Sequence, residues 1–256
     1  LERYPNDEKV PQWMEFALAA LTKIGDWDRY EERARAYIAI LDPRSTWSLQ
    51  QHGNDRALSN ARLLGEGTLL AIINRNYQEA ERLKTQPTIQ HALLQEVAAD
   101  YEDHFRRYPD SREAYDQRFD YAELLYYKIC DQGRWNERYW LPRDQFDAYL
   151  RKAGDAYKFV VEMQPDPAAP HAHDAAVGAL QVYDDFMKRE VPDIPEPLPA
   201  PDKYVWVDER PLGAASQDYV GIVAWFAKLY PEDDLIPEAS WRAAALYIRN
   251  GHVPEA

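Results

Sequence analysis

Apolar side chains recur three and four positions apart over most of the chain, the spacing that lines them along one face of an α-helix. Met14, Ala17, Leu18 and Leu21 make one such face, and Ala34 with Tyr37 resumes the pattern after a break at Gly25-Asp26-Trp27. Val97, Tyr101 and Phe105 form a second, and Tyr219, Val223 and Phe226 a third. No alternating apolar run bounded by Asn-Gly or Asp-Gly occurs, so strand pairs have little support. A short extended piece is expected only around Tyr204-Val205-Trp206-Val207. The pattern predicts an all-α protein.

Two kinds of interruption alternate along it. Arg3-Tyr4-Pro5-Asn6-Asp7, Arg107-Tyr108-Pro109-Asp110-Ser111 and Leu229-Tyr230-Pro231-Glu232-Asp233 each set an aromatic residue and a proline before residues suited to a helix N-cap. Gly25-Asp26-Trp27-Asp28, Asn76-Tyr77-Gln78-Glu79-Ala80, Gly133-Arg134-Trp135-Asn136-Glu137 and Gly251-His252-Val253-Pro254-Glu255-Ala256 each follow a long helical pattern and predict a tight turn. Helix, turn, helix and proline stop then repeat, which describes a chain of helical hairpins.

On Met14, Ala17, Leu18, Leu21, Gly25, Trp27, Ala34, Tyr37 and Pro43, and on Ala243, Ala244, Tyr247, Gly251 and Ala256, the chain resembles the tetratricopeptide repeat family. The resemblance implies an irregular TPR-like α-solenoid of antiparallel hairpins whose first helices line a concave surface. Residues 1–190 are expected to be repeats with an insertion near 134–146, residues 191–203 a proline-rich connector, and residues 204–256 further helices truncated at their end. Val191 to Pro201 holds five prolines in eleven residues, which favours an extended connector between two sub-blocks. With Leu1 to Pro5 reading as the tail of an earlier helix, the chain is expected to be a fragment of a longer repeat protein. Arg118 to Tyr126 and Asp174 to Tyr183 further resemble the large tetratricopeptide proteins of myxobacterial envelope and gliding-motility complexes. That implies an envelope-associated or periplasmic setting, with the cytoplasm as the alternative.

Charge narrows the partners. Asp and Glu number 44 against 30 Lys and Arg, a net charge of -14, which opposes condensation onto nucleic acid or an anionic leaflet. A single cysteine cannot form an intramolecular disulfide, and no stretch of about 18 apolar residues predicts a membrane span. No cofactor motif is present: Gly65-Glu66-Gly67 lacks the Lys and Ser or Thr of a phosphate loop and reads as close helix packing.

Protein or peptide partners remain, and the candidate contacts fall in two places. Trp135, Arg138, Tyr139, Trp140 and Arg143 concentrate interface-prone residues in the insertion. They either bind a partner or let the tryptophans fold back over the neighbouring hairpin as a cap. Tyr115 and Arg118 fall on the expected concave face of a first helix, although core packing suits that segment too. His171 and His173 are weak metal candidates, because one intervening residue puts them on different helical faces; Pro170 to Asp174 reads as a helix start. Cys130 reads as a buried thiol, and Asp116, Asp120 and Glu123 as a solvated acidic face. The expectation is a non-catalytic scaffold. Its rivals are an all-helical glycan hydrolase with paired carboxylates or a His171/His173 metal, and a spacer that binds nothing.

Overall fold

The computed structural model describes residues 6–130, 141–192 and 208–252. Those residues are all-helical, and no strand occurs among them. The chain divides into two compact units, Leu1–Ala114 and Tyr115–Ala256.

In the first unit, α1 (Val10–Ile24) ends at Gly25, which takes a left-handed conformation with φ 71° and donates its N–H to the carbonyls of Leu21 and Thr22. Asp26 then caps α2 (Trp27–Leu41) by accepting from the Arg29 amide, so two residues turn the chain through a hairpin. Pro43 holds Asp42 extended and stops α2. Ser45 caps a short α3 (Thr46–Gln50), and Asn54 caps α4 (Asp55–Arg82). α5 (Pro87–Arg107) ends before Tyr108-Pro109, as the sequence pattern requires.

Val10, Met14, Leu41, Trp47, Ala57 and Ala61 form a core where α1, α2, α3 and α4 meet. The buried Trp47 ring is also anchored by its indole N–H, which donates to the Asp7 carbonyl at 3.0 Å. Gly65 lets the Tyr108 hydroxyl approach α4 to where a Cβ would stand 2.5 Å away, which is the close packing expected of that glycine. Nothing approaches Gly67 in the same way.

One expected turn is absent. Asn76-Tyr77-Gln78-Glu79-Ala80 lies inside α4, which runs unbroken for 28 residues. The segment holds neither Gly nor Pro, Ala80 is fully buried, and Arg75 pairs with Glu79 one turn on at 3.1 Å. Asn76 itself is buried, with its amide toward the Glu31 carboxylate at 3.4 Å. The hairpin turn comes later, before Pro87.

The second unit begins one residue into α6 (Ala114–Glu123), which passes directly into a π-helical segment, Leu124–Cys130. α7 (Arg143–Met163) packs on that segment and on α8 (Ala172–Glu190); α9 (Ala214–Leu229) packs on α8, and α10 (Ile236–Arg249) on α9. Tyr157 of α7 is fully buried against Gly178 of α8, where a Cβ would meet the ring at 2.7 Å. The Glu190 carboxylate caps α9, accepting from the amides of Ala215 at 2.9 Å and Ser216 at 3.3 Å. The helix that follows the proline-rich stretch in sequence, α9, packs on α8 within the same unit. The extended piece expected at 204–207 and the turn expected at 133–137 lie outside the described residues.

Candidate partner-binding groove

The helical pairing of the first unit leaves an open groove of about 570 Å³ between α1 and α4. From α1 it is lined by Gln12, Glu15, Ala19 and Thr22, positions that share one face at helical spacing. From α4 come Asn60, Leu63, Leu64 and Gly67. Leu63 is 66% exposed, so its isobutyl group stands in the opening instead of in the core. Gly67 has no Cβ and nothing within 4 Å of where one would be, which keeps that stretch of α4 low. Tyr30 of α2 also lines the groove, and burial raises the pKa of its hydroxyl.

This wall composition can hold an extended or helical peptide. The amides of Gln12 and Asn60 offer both donor and acceptor atoms to a peptide backbone, Leu63 and Leu64 offer apolar contact, and Glu15 supplies the one charged group among the α1 and α4 residues named. A second groove, about 750 Å³, lies between α2, α3 and α4 and is lined by Leu41, Pro43, Leu49, Leu58 and Tyr108. Arg107 at its edge is held by Asp42 and by Asp103.

Of the residues singled out from the sequence, Tyr115, Arg118 and Arg143 lie in the second unit. Tyr115 is 7% exposed and its hydroxyl donates to the Pro170 carbonyl, so its side chain is engaged inside the second unit. Arg118 lays its guanidinium over the Phe159 ring, 4.2 Å from the centroid, and burial lowers its pKa. Arg143 opens α7 with an exposed side chain 3.8 Å from Asp147. Trp135, Arg138, Tyr139 and Trp140 lie outside the described residues.

His171 and His173 are parted by their backbone as well as by spacing. His171 precedes α8 with φ 62°, the left-handed region, and its ring stacks on Phe119 at 4.3 Å with Nε2 3.6 Å from Asp116. His173 turns to the α9–α10 corner, where Nε2 is 2.6 Å from the Asp233 carboxylate and holds that carboxyl below its ordinary pKa. Among the described residues no group of three His, Cys, Asp or Glu side chains is placed to hold a metal ion. Cys130 is buried.

Asp116 and Asp120 are exposed, although partial burial raises the pKa of the Asp120 carboxyl; Glu123 departs further from a solvated acidic face. It is half-buried, and burial raises its pKa against the opposing effect of the Tyr157 hydroxyl, which donates to Oε1 at 2.6 Å.

Amides and alanines carry no compositional signal of binding, so the sequence does not mark Gln12, Ala19 or Asn60 as a groove. A trace existed nonetheless: Leu63 breaks the buried Ala57, Ala61, Gly65 and Leu69 register of α4. Among the described residues no helix is long and apolar enough to cross a membrane. No protein-family model matches the chain, and no curated protein matches it significantly.

Proposed function

We propose that the protein is a non-catalytic scaffold of TPR-like helical hairpins that holds a peptide segment of a partner protein in the α1–α4 groove. The observation that carries this reading is the open groove itself, with an exposed Leu63 between backbone-competent amides at Gln12 and Asn60. Support also comes from hairpin turns that leave α1 and α4 side by side, the juxtaposition that repeats of first helices create. The resemblance to myxobacterial envelope complexes makes a multiprotein assembly at the cell envelope the setting in which we place it.

A photo-crosslinking residue at Leu63, expressed in the source cells, tests the reading. A discrete crosslinked partner is expected, lost when Gln12→Ala and Asn60→Ala are added. A crosslinker at the equally exposed Leu49 is the control. The same adducts from both positions, or none from Leu63, would overturn the proposal.

A further inference from the structure

We infer that a second surface, the side of the α1–α2 hairpin turned away from α4, docks an acidic amphipathic helix of a partner protein. This goes beyond the groove, which lies on the other flank of α1.

α1 is apolar around most of its circumference. Val10, Met14 and Leu18 are buried and Trp13 packs against the same core, whereas Phe16, Ala20 and Ile24 follow an exposed stripe at i, i+4 and i+8. Phe16 and Ile24 are each 71% exposed, the most exposed large hydrophobic side chains among the described residues. A stripe of this spacing is what a helix presents to another helix.

α2 supplies the flank. Arg29, Arg33, Ala36 and Ile40 share one face at i, i+4, i+7 and i+11, all of them exposed. The opposite positions of α2 are engaged by α4 and α5: Trp27 lies under the Arg75 guanidinium at 5.2 Å, Glu31 receives the Asn76 amide, and Arg35 reaches Asp100 at 2.7 Å. The stripe of Arg29 and Arg33 therefore lies on the side away from α4, as does the stripe of Phe16 and Ile24. Lys23 adds a third cation beside Ile24. No Asp or Glu occurs at any position of either stripe; the nearest acid at Arg29 is Asp26 of the turn, 3.5 Å away.

A chain of net charge -14 thus carries an apolar strip flanked by cations. Charge complementarity selects an acidic partner helix. A second copy meeting the same face would oppose like-charged rims, and an extended anionic bilayer would meet the net negative charge of the chain as a whole, whereas a single acidic helix meets the strip alone.

The test uses a dye-labelled helical peptide with leucines at helical spacing and glutamate flanks, a twin with lysine flanks, and phosphatidylserine vesicles. Fluorescence anisotropy is expected to show binding of the glutamate peptide over its twin. Phe16→Gln with Ile24→Gln should weaken it about tenfold, the loss of two anchors. Arg29→Glu with Arg33→Glu should reverse the preference, and Leu63→Glu in the groove should leave it unchanged. Should the glutamine pair lower the helical circular dichroism signal, the charge-reversed pair decides alone. Equal or absent binding of both peptides, a dimer lost on Phe16→Gln, or stronger binding to the vesicles would each overturn the inference.

Discussion

A methyl group at Gly178 would sit 2.7 Å from the Tyr157 ring, and that ring is fully buried between helices, with no room to swing clear. Gly178→Ala should therefore cost about 1–3 kcal/mol, the usual penalty of overpacking. Gly221 in α9 has open space at its Cβ, so Gly221→Ala should gain about 0.5–1 kcal/mol by restricting the unfolded chain. Urea unfolding of both variants checks the contrast; equal shifts would contradict it. The same tyrosine fixes the behaviour of Glu123. Burial raises that carboxyl in the folded protein, so the unfolded chain ionises first as pH rises. Stability is then lost from about pH 4 upward until the folded carboxyl ionises too. Glu123→Gln keeps an acceptor for the Tyr157 hydroxyl and has no charge to bury. Its urea midpoint should gain on the native protein as pH rises above about 4, and parallel curves would refute this. The apolar periodicity told of Tyr157 and its neighbours as a helix face, but no pattern in the sequence announces which carboxylate a buried hydroxyl will find.

At the scale of elements, chain breaks were readable where a residue physically enforces them. Gly25 takes a positive φ, Pro43 and Pro109 bar helix continuation, and each stands where α1, α2 or α5 gives way. Asn76 enforces nothing, and α4 passes through it because tertiary contact with Glu31 satisfies its amide. The π-helical run from Leu124 to Cys130 left no mark in the sequence either, since Leu124, Leu125 and Ile129 are apolar in any helical register. Long-range capping was likewise invisible. Glu190 closes α8 yet satisfies the first amides of α9, 25 residues later, and its Oε1 also accepts from the Ser216 hydroxyl at 2.6 Å. Glu190→Ala should destabilise the protein by about 1–2 kcal/mol, whereas Glu190→Gln should retain part of the cap. Thermal unfolding monitored at 222 nm decides; an unchanged alanine variant would show the cap to be idle.

For the whole molecule, the all-α class followed from spacing alone, whereas the α1–α4 groove did not. Of the expected aromatic and arginine contacts, Tyr115 is packed against Pro170 and Arg118 lies over Phe159, since large side chains on a helix also serve packing within their own unit. What the first unit leaves open between α1 and α4 is framed by amides, Ala19 and the leucines Leu63 and Leu64. The division at Ala114 and Tyr115 also differs from the connector-based division, since α9 returns to α8 across the prolines. The measurement closest to the central claim is selection of a random peptide library on the immobilised protein, followed by affinity measurement on Leu63→Glu. The account predicts enriched peptides with a shared motif whose affinity falls about tenfold or more on Leu63→Glu, the loss expected at an interface anchor. Peptides that bind the variant as tightly as the native protein, or a library that never enriches, would contradict it.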